Sequence, residues 1–341
     1  MSARVAVPAL IVSALIAACG GSVRHRTPPP SPPAEPSPAT AATRKPATVP
    51  PTPQALVTAE TEDRLLVVAL PSGRVVRRIA LPRDPEDIAV SGDMVVVASA
   101  AAGKVTVLAR RTLRPVRTLG GFQTPHIISM ANGRIYVTDD ARGTLTTIDP
   151  KTLRETSTVF VGAGAHHMCF DVKDQNGWVA LGESAKTLVF LSTEEPAHPR
   201  VIGHFPAPFR VHDLACSQTS ARVWLTSATG SDVSLVDGFD YGVVFRVPVG
   251  PPPQHVALQG RYAYLTSGYG ETIEKVSATT GQIVARARSP YGSFELSVDN
   301  RYVVTSSLLR GTLAVYTPQL TLLRVVHLAP AAREVALSPP A

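Results

Sequence analysis

The chain has 341 residues, a net charge of +7 and 44% hydrophobic residues, against only 6% aromatic and 17% charged. That is enough apolar material for a large packed domain, and it excludes a chain that is disordered throughout. The positive balance does not point to nucleic acid, because no basic run with interleaved aromatics occurs among the apolar segments and much of the excess sits near the N-terminus, at Arg4, Arg24, Arg26, Arg44 and Lys45.

Residues 1–19 read as an export signal: Arg4 is the positive start, residues 5–16 are apolar apart from Pro8 and Ser13, and the small pair Ala17-Ala18 precedes Cys19. The stretch Leu15-Ile16-Ala17-Ala18-Cys19-Gly20 resembles the bacterial lipobox. The resemblance implies lipidation of Cys19, an extracytoplasmic location and attachment to the cell membrane through acyl chains alone. Residues 20–54 read as a linker. They hold eleven of the 31 prolines, with Ala, Thr and Ser between them, and cannot bury enough surface to offset their ordering entropy. Fully extended at about 3 Å per residue, such a spacer reaches roughly 100 Å.

From residue 55 to 341 the chain repeats itself. Seven times a polar or acidic residue stands directly before a short apolar strand: Asp87, His126, His167, Asp213, His255, Glu295 and Glu334, at intervals of 39, 41, 46, 42, 40 and 39 residues. A period near forty marks a radial or stacked repeat. Each period holds four strand-like runs rich in Val, Ile, Thr and Tyr, separated by turn residues. One such turn is Asn132-Gly133, a strong hairpin signal between His126-Ile-Ile-Ser-Met and Arg134-Ile-Tyr-Val-Thr. Four antiparallel strands seven times over predict an all-β, seven-bladed β-propeller. The last inner strand, starting at Glu334, has no partners after it, while the N-terminal runs 55–58, 65–70 and 74–81 have no inner strand. The seventh blade is therefore expected to be built from both ends of the chain, which hides the edges an open sheet would expose.

Tyr136-Val137-Thr138-Asp139, Leu145-Thr-Thr-Ile148-Asp149-Pro150, Tyr264-Leu265-Thr266-Ser267 and Leu313-Ala-Val-Tyr316 resemble the repeat unit of bacterial YVTN β-propellers, as do Thr124-Pro125-His126 and Pro253-Gln254-His255-Val256-Ala257. The resemblance covers residues 55–341 and departs at Trp178-Val-Ala-Leu and Trp224-Leu-Thr-Ser, which replace the tetrapeptide. It implies a surface or envelope protein and is nearly silent on activity.

Chemistry is expected where inner strands begin, because side chains there can reach the axis. His126, His167 (with His166), His212 beside Asp213, and His255 fall in successive repeats, with Glu295, Glu334 and Asp87 completing the ring. Imidazole with carboxylate suits a transition-metal ion such as zinc, copper, nickel or non-haem iron; His126, His167, His212 and His255 are the candidate ligands. The competing reading is a hydrophilic channel rim that needs no ion. The same ring could hold a small ligand. Some propeller enzymes, such as streptogramin lyases, nitrous-oxide reductases and lactonases, place functional residues around the axis, but no local motif of theirs is present here. Cys169 and Cys216 sit two and three residues after His167 and Asp213, so alternation predicts opposite sheet faces and two separate buried thiols.

Two functions remain open. One is a monomeric, non-catalytic binding scaffold on the envelope, without a cofactor. It would take a protein, a wall polymer or a small ligand on its loop faces, the first patch being residues 194–200 and 237–241 with Phe209 and Tyr241. The other is a metal-dependent lyase or hydrolase working at the histidine-rich rim.

Overall fold

A computed structural model describes residues 52–171, 175–182 and 185–338. The expected export signal, Cys19 and all but the last residues of the expected 20–54 linker lie outside them. Among the described residues the chain is almost wholly β: 28 strands, numbered in chain order, and one turn of 3-10 helix at Glu60–Glu62. None of the helical structure there is long and apolar enough to cross a membrane.

The strands form seven four-stranded antiparallel sheets, the blades of a seven-bladed propeller. Blade 2 shows how the repeat folds. Strand β8 (Pro125–Ala131) turns at Asn132-Gly133 into β9 (Arg134–Asp139). Both turn residues have positive φ, 50° and 68°, as the tight hairpin requires. The two middle strands of the blade, β9 and β10 (Thr144–Asp149), are buried on both faces because each sheet is sandwiched between two others. The outer strand β11 (Arg154–Phe160) faces solvent along much of its length. Packing is between neighbouring sheets: Tyr136 of blade 2 stacks on Phe170 of blade 3 with ring centroids 4.3 Å apart, and Trp224 of blade 4 packs with Val256 and Leu265 of blade 5.

Closure occurs as the repeat count requires. The seventh sheet runs β28 (Ala332–Ser338), β1 (Gln54–Ala59), β2 (Arg64–Ala69), β3 (Arg74–Ala80). The C-terminal strand lies innermost, paired through Gln54↔Ser338 and Leu56↔Ala336.

A bulge recurs at the start of the inner strands. It falls between Pro85 and Asp87 in β4 (Pro85–Ser91), Pro125 and Ile128 in β8, Val211 and Leu214 in β16 (Val211–Cys216), and Ser293 and Leu296 in β24 (Ser293–Val298). Opposite Val57 and Ala59, β28 carries the same extra residue. An extra residue breaks the two-residue alternation and re-aims side chains. The expectation for the cysteines is overturned as well. Cys169, in β12 (Met168–Asp171), and Cys216 form a disulfide between blades 3 and 4, with Cα atoms 5.4 Å apart. Alternation does place them on opposite faces, since Cys169 is the register equivalent of Ala215 and Cys216 is one residue further; the side of blade 3 that Cys169 occupies and the side of blade 4 that Cys216 occupies face each other across one interface. The bridge closes a loop of sequence separation 47, so the double substitution Cys169→Ser/Cys216→Ser is expected to lower unfolding stability by about 2–4 kcal/mol. The check is a shift of the denaturant midpoint that the oxidised parent does not show.

The loop patch singled out from the sequence is only partly a free surface. Phe209 and Tyr241 pack against the blade 3–4 core, and Tyr241 stacks on Phe205 with centroids 3.9 Å apart. Phe239, at 77% exposure, does face solvent.

Candidate metal centre

Equivalent positions in the blades are marked by one hydrogen bond. A threonine hydroxyl on the second strand accepts the amide N–H of Ile127 (Thr138, 3.1 Å), Asp213 (Thr226, 2.9 Å), His255 (Thr266, 3.2 Å) and Glu334 (Thr58, 2.9 Å). By this bond and the strand register, the inner slot holds Asp87, Ile127, His167, Asp213, His255, Glu295 and Glu334. His126, which spacing places in that ring, stands one residue earlier. It belongs to an outer slot with Glu86, His166, His212, Gln254, Phe294 and Arg333. The bulge lets side chains of two successive residues reach the same well. In β20 (Gln254–Gln259) no bulge is present, and Gln254 turns away to donate to the carbonyls of Gly230 (3.1 Å) and Gly250.

Five imidazoles gather in this well. Ring centroids are 4.2 Å apart for His126–His166, 4.5 Å for His166–His167, 5.2 Å for His167–His212 and His167–His255, and 4.8 Å for His212–His255. Together with Glu295 and Arg333 they line a cavity of about 200 Å³. Two sets of side chains are placed to share an ion. In the half-buried set, His166 Nδ1 lies 2.9 Å from Asp140 Oδ2 and His126 Nδ1 lies 3.6 Å from the same oxygen. In the deep set, His255 Nδ1 lies 3.0 Å from Glu295 Oε2, and ligand atoms of His167, His255 and Glu295 all fall within 4.8 Å of one another. Ligands of a tetrahedral ion are roughly 3.3–3.5 Å apart, so small side-chain rotations would complete either set. His167 Nδ1 is buried with no hydrogen-bond partner among the described residues, which is costly unless something fills the gap.

Electrostatics divides the histidines. Burial, reinforced by the charges of neighbouring imidazoles, holds His167 and His212 well below the ordinary histidine pKa, so both are neutral at pH 7. Burial also pulls His255 down, but the Glu295 carboxylate outweighs it and leaves His255 raised. His126 is raised likewise, against burial, by Glu86 at 2.9 Å and by Asp140. A protonated His255 donating to a neutral His212 accounts for their Nε2–Nε2 separation of 3.0 Å.

The carboxyls have separate tasks. Asp213 Oδ2 accepts the amide of Val256 in the next blade at 2.8 Å, and Asp87 accepts that of Ile128. These two are blade-to-blade ties and do not line the well; Glu334, also outside its lining, accepts the amide of its own neighbour Val335 and is hydrogen-bonded to Glu295. Burial pushes Glu295 up, but the His255 imidazolium wins and holds it at about 2. Its neighbours keep their protons instead. Burial, then the Glu295 charge, raises Glu334 well above the usual carboxyl range, and burial, with the Glu295 charge adding to it, raises Asp87 to about 7.

A pH dependence follows for the ion-free protein. Asp87 binds its proton more tightly folded than unfolded, so its contribution is fully present below pH 3.8 and is lost as pH rises through about 7. Asp87→Asn keeps an acceptor for Ile128 and removes the charge. Thermal melts of both proteins at pH 5 and pH 8 are expected to show the variant gaining on the parent with pH, by up to about 3 kcal/mol. A constant difference would mean that Asp87 titrates normally.

Of the residues singled out by spacing, His126, His167, His212, His255 and Glu295 line the well. His166 was visible beside His167. Glu86, Asp140, Phe294 and Arg333 carried no signal: the first, third and fourth precede the repeating position by one residue, and Asp140 comes from a loop outside the inner strands.

The chain matches no family model and no curated protein sequence. It is similar in structure to a protein of unknown function from Desulfotomaculum acetoxidans (TM-score 0.73, 13% identity, covering 84% of this chain and 99% of that one). It is also similar to the apo form of AztD from Citrobacter koseri (TM-score 0.65, 12% identity, 84% and 98%) and to hydrazine synthase from Kuenenia stuttgartiensis (TM-score 0.68, 12% identity, 83% and 99%). At such identities the likeness is one of fold: this chain shares the seven-bladed β-propeller of these proteins.

Proposed function

We propose that this protein binds a divalent transition-metal ion in the axial well and works as a non-catalytic binding scaffold on the cell envelope, anchored by lipidated Cys19. The observation that carries the reading is the deep set: two imidazoles and a carboxylate converge within 4.8 Å, and His167 Nδ1 is buried and unpartnered among the described residues. Neutral imidazole is the form that ligates; burial supplies it at His167, while His255 gives up its proton when the ion binds. A hydrophilic rim alone does not call for five histidines packed ring to ring. The shallower set of His126, His166 and Asp140 offers a second, weaker position.

The test is elemental analysis of protein prepared without a His-tag, followed by competition titration of the chelator-stripped form with zinc, copper, nickel and cobalt. One tightly held equivalent is expected. A protein that takes up no ion and melts identically with and without chelator would remove the proposal. The anchor is tested separately: Cys19→Ser is expected to move the protein from the membrane to the soluble fraction.

The second reading, a metal-dependent lyase or hydrolase, is favoured by one observation. The cavity opens directly onto a three-ligand set, leaving room for a water or substrate in the fourth position. Turnover that needs the ion and stops with Glu295→Gln would support it.

A further inference from the structure

The well has a second kind of wall. In the outer slot six blades carry polar side chains, whereas blade 6 carries Phe294. A water-filled rim has no use for an aromatic at that position. Phe294 is half-buried and lines the same cavity as the histidines, with Leu308 and Pro253 beside it. Tyr269 meets the Phe294 ring edge-on at 5.3 Å and is itself 47% exposed, so the apolar wall continues outward past the mouth. Arg333 also lines the cavity. Its guanidinium donates one hydrogen bond, to Glu60 Oε2 at 2.9 Å, and stands 3.8 Å from Glu86, leaving other N–H groups of the fork uncommitted among the described residues. Arginine presents such groups in a planar pair that matches a carboxylate.

Resting on the metal reading above, we propose that the well admits a small aromatic carboxylate as a second ligand. One carboxylate oxygen takes the open position on an ion held by His167, His255 and Glu295, the other meets Arg333, and the ring lies against Phe294. The size fits: about 200 Å³ is below the roughly 300–1,000 Å³ of sites for drug-sized molecules. It suits one ring bearing one acid group. An ion restricted to imidazoles and carboxylates would bind as well in a fully polar well; the aromatic wall is there for the organic part of what binds to it.

The test uses cobalt(II) as a visible reporter on the full chain, stripped of other ions and expressed without a His-tag. After the cobalt bands are recorded, benzoate and acetate are titrated separately. Benzoate is expected to alter the bands and to bind about tenfold more tightly than acetate, through burial of its ring. Phe294→Ala is expected to erase that preference while leaving cobalt affinity unchanged, and Arg333→Met to weaken both acids. Arg333 also ties Glu60, so if that variant does not fold, Phe294→Ala carries the test. Cobalt bands that benzoate leaves unchanged, equal binding of the two acids, or a preference that survives Phe294→Ala would each overturn the inference with the metal reading intact. Absence of cobalt bands before any acid is added defeats the metal reading itself, and the inference with it.

Discussion

Removing residues 330–341 is expected to unfold the whole propeller, although by position they look like a tail. Strand β28 is the innermost strand of blade 7, and its Ala332, Val335 and Ala336 are 0%, 2% and 9% exposed. Ala332 and Val335 belong to the cluster joining blades 6 and 7, with Val304, Leu313 and Val315; Ala336 packs with Ile88 of blade 1. Deleting the strand uncovers both interfaces and leaves β1 as an open edge at the centre of the molecule. Burial of a large apolar side chain contributes about 1.5–3 kcal/mol, and the ladder to β1 and the tie from Glu334 N–H to Thr58 are lost as well. The sum approaches the 5–15 kcal/mol by which domains of ordinary stability are held. The truncated chain is expected to show no cooperative thermal transition, and a synthetic peptide of residues 330–341 to restore one. Val335→Asp, a single buried charge, is expected to cost several kcal/mol on the same ground. A truncated protein that melts within a few degrees of the parent would show that the ring does not depend on this closure.

The double substitution His167→Ala/His255→Ala is expected to weaken ion binding by on the order of a thousandfold or more, as two of the ligands of a site worth about 10–16 kcal/mol are lost. The fold is expected to persist, because His167 is buried, neutral and surrounded by other imidazoles that disfavour its charge. Because it carries no charge, removing it leaves no counter-charge unpaired. His255 is different: its imidazolium neutralises Glu295 at 3.0 Å, so His255→Ala alone is expected to shift the Glu295 proton and cost some stability near neutral pH. Titration of the single and double variants with a competing chelator, beside their melting curves, separates ligand loss from unfolding. His126→Ala/His166→Ala is the useful comparison. It removes only the half-buried set and is expected to leave the tight equivalent in place.

The architecture was legible in the residues because a propeller writes itself as period and composition. The interval near forty, the turn Asn132-Gly133, and the unpartnered runs at the two ends follow from local chemistry: hydrophobic alternation, glycine at positive φ, and strands that need neighbours. Even the unusual closure was a matter of counting. The site was legible only as a set of residues near one place. Spacing found His167, Asp213, His255, Glu295, Glu334 and Asp87, because the same strand start recurs in each repeat, yet it could not say which of them face the well and which tie one blade to the next. It set His126 one position away from its true register and separated two cysteines that are bonded. The two misreadings have different physical causes. At His126 a β-bulge lets two successive side chains reach one well without leaving a mark in the local pattern, whereas opposite faces of blades 3 and 4 meet, and bring Cys169 to Cys216, only once the sheets stand side by side round an axis. Asp140, from a loop of blade 2, and Arg333, arriving on the strand that closes the ring, meet the histidines only because seven sheets share one axis. Proximity of that kind is a property of the closed ring, and no stretch of the chain contains it.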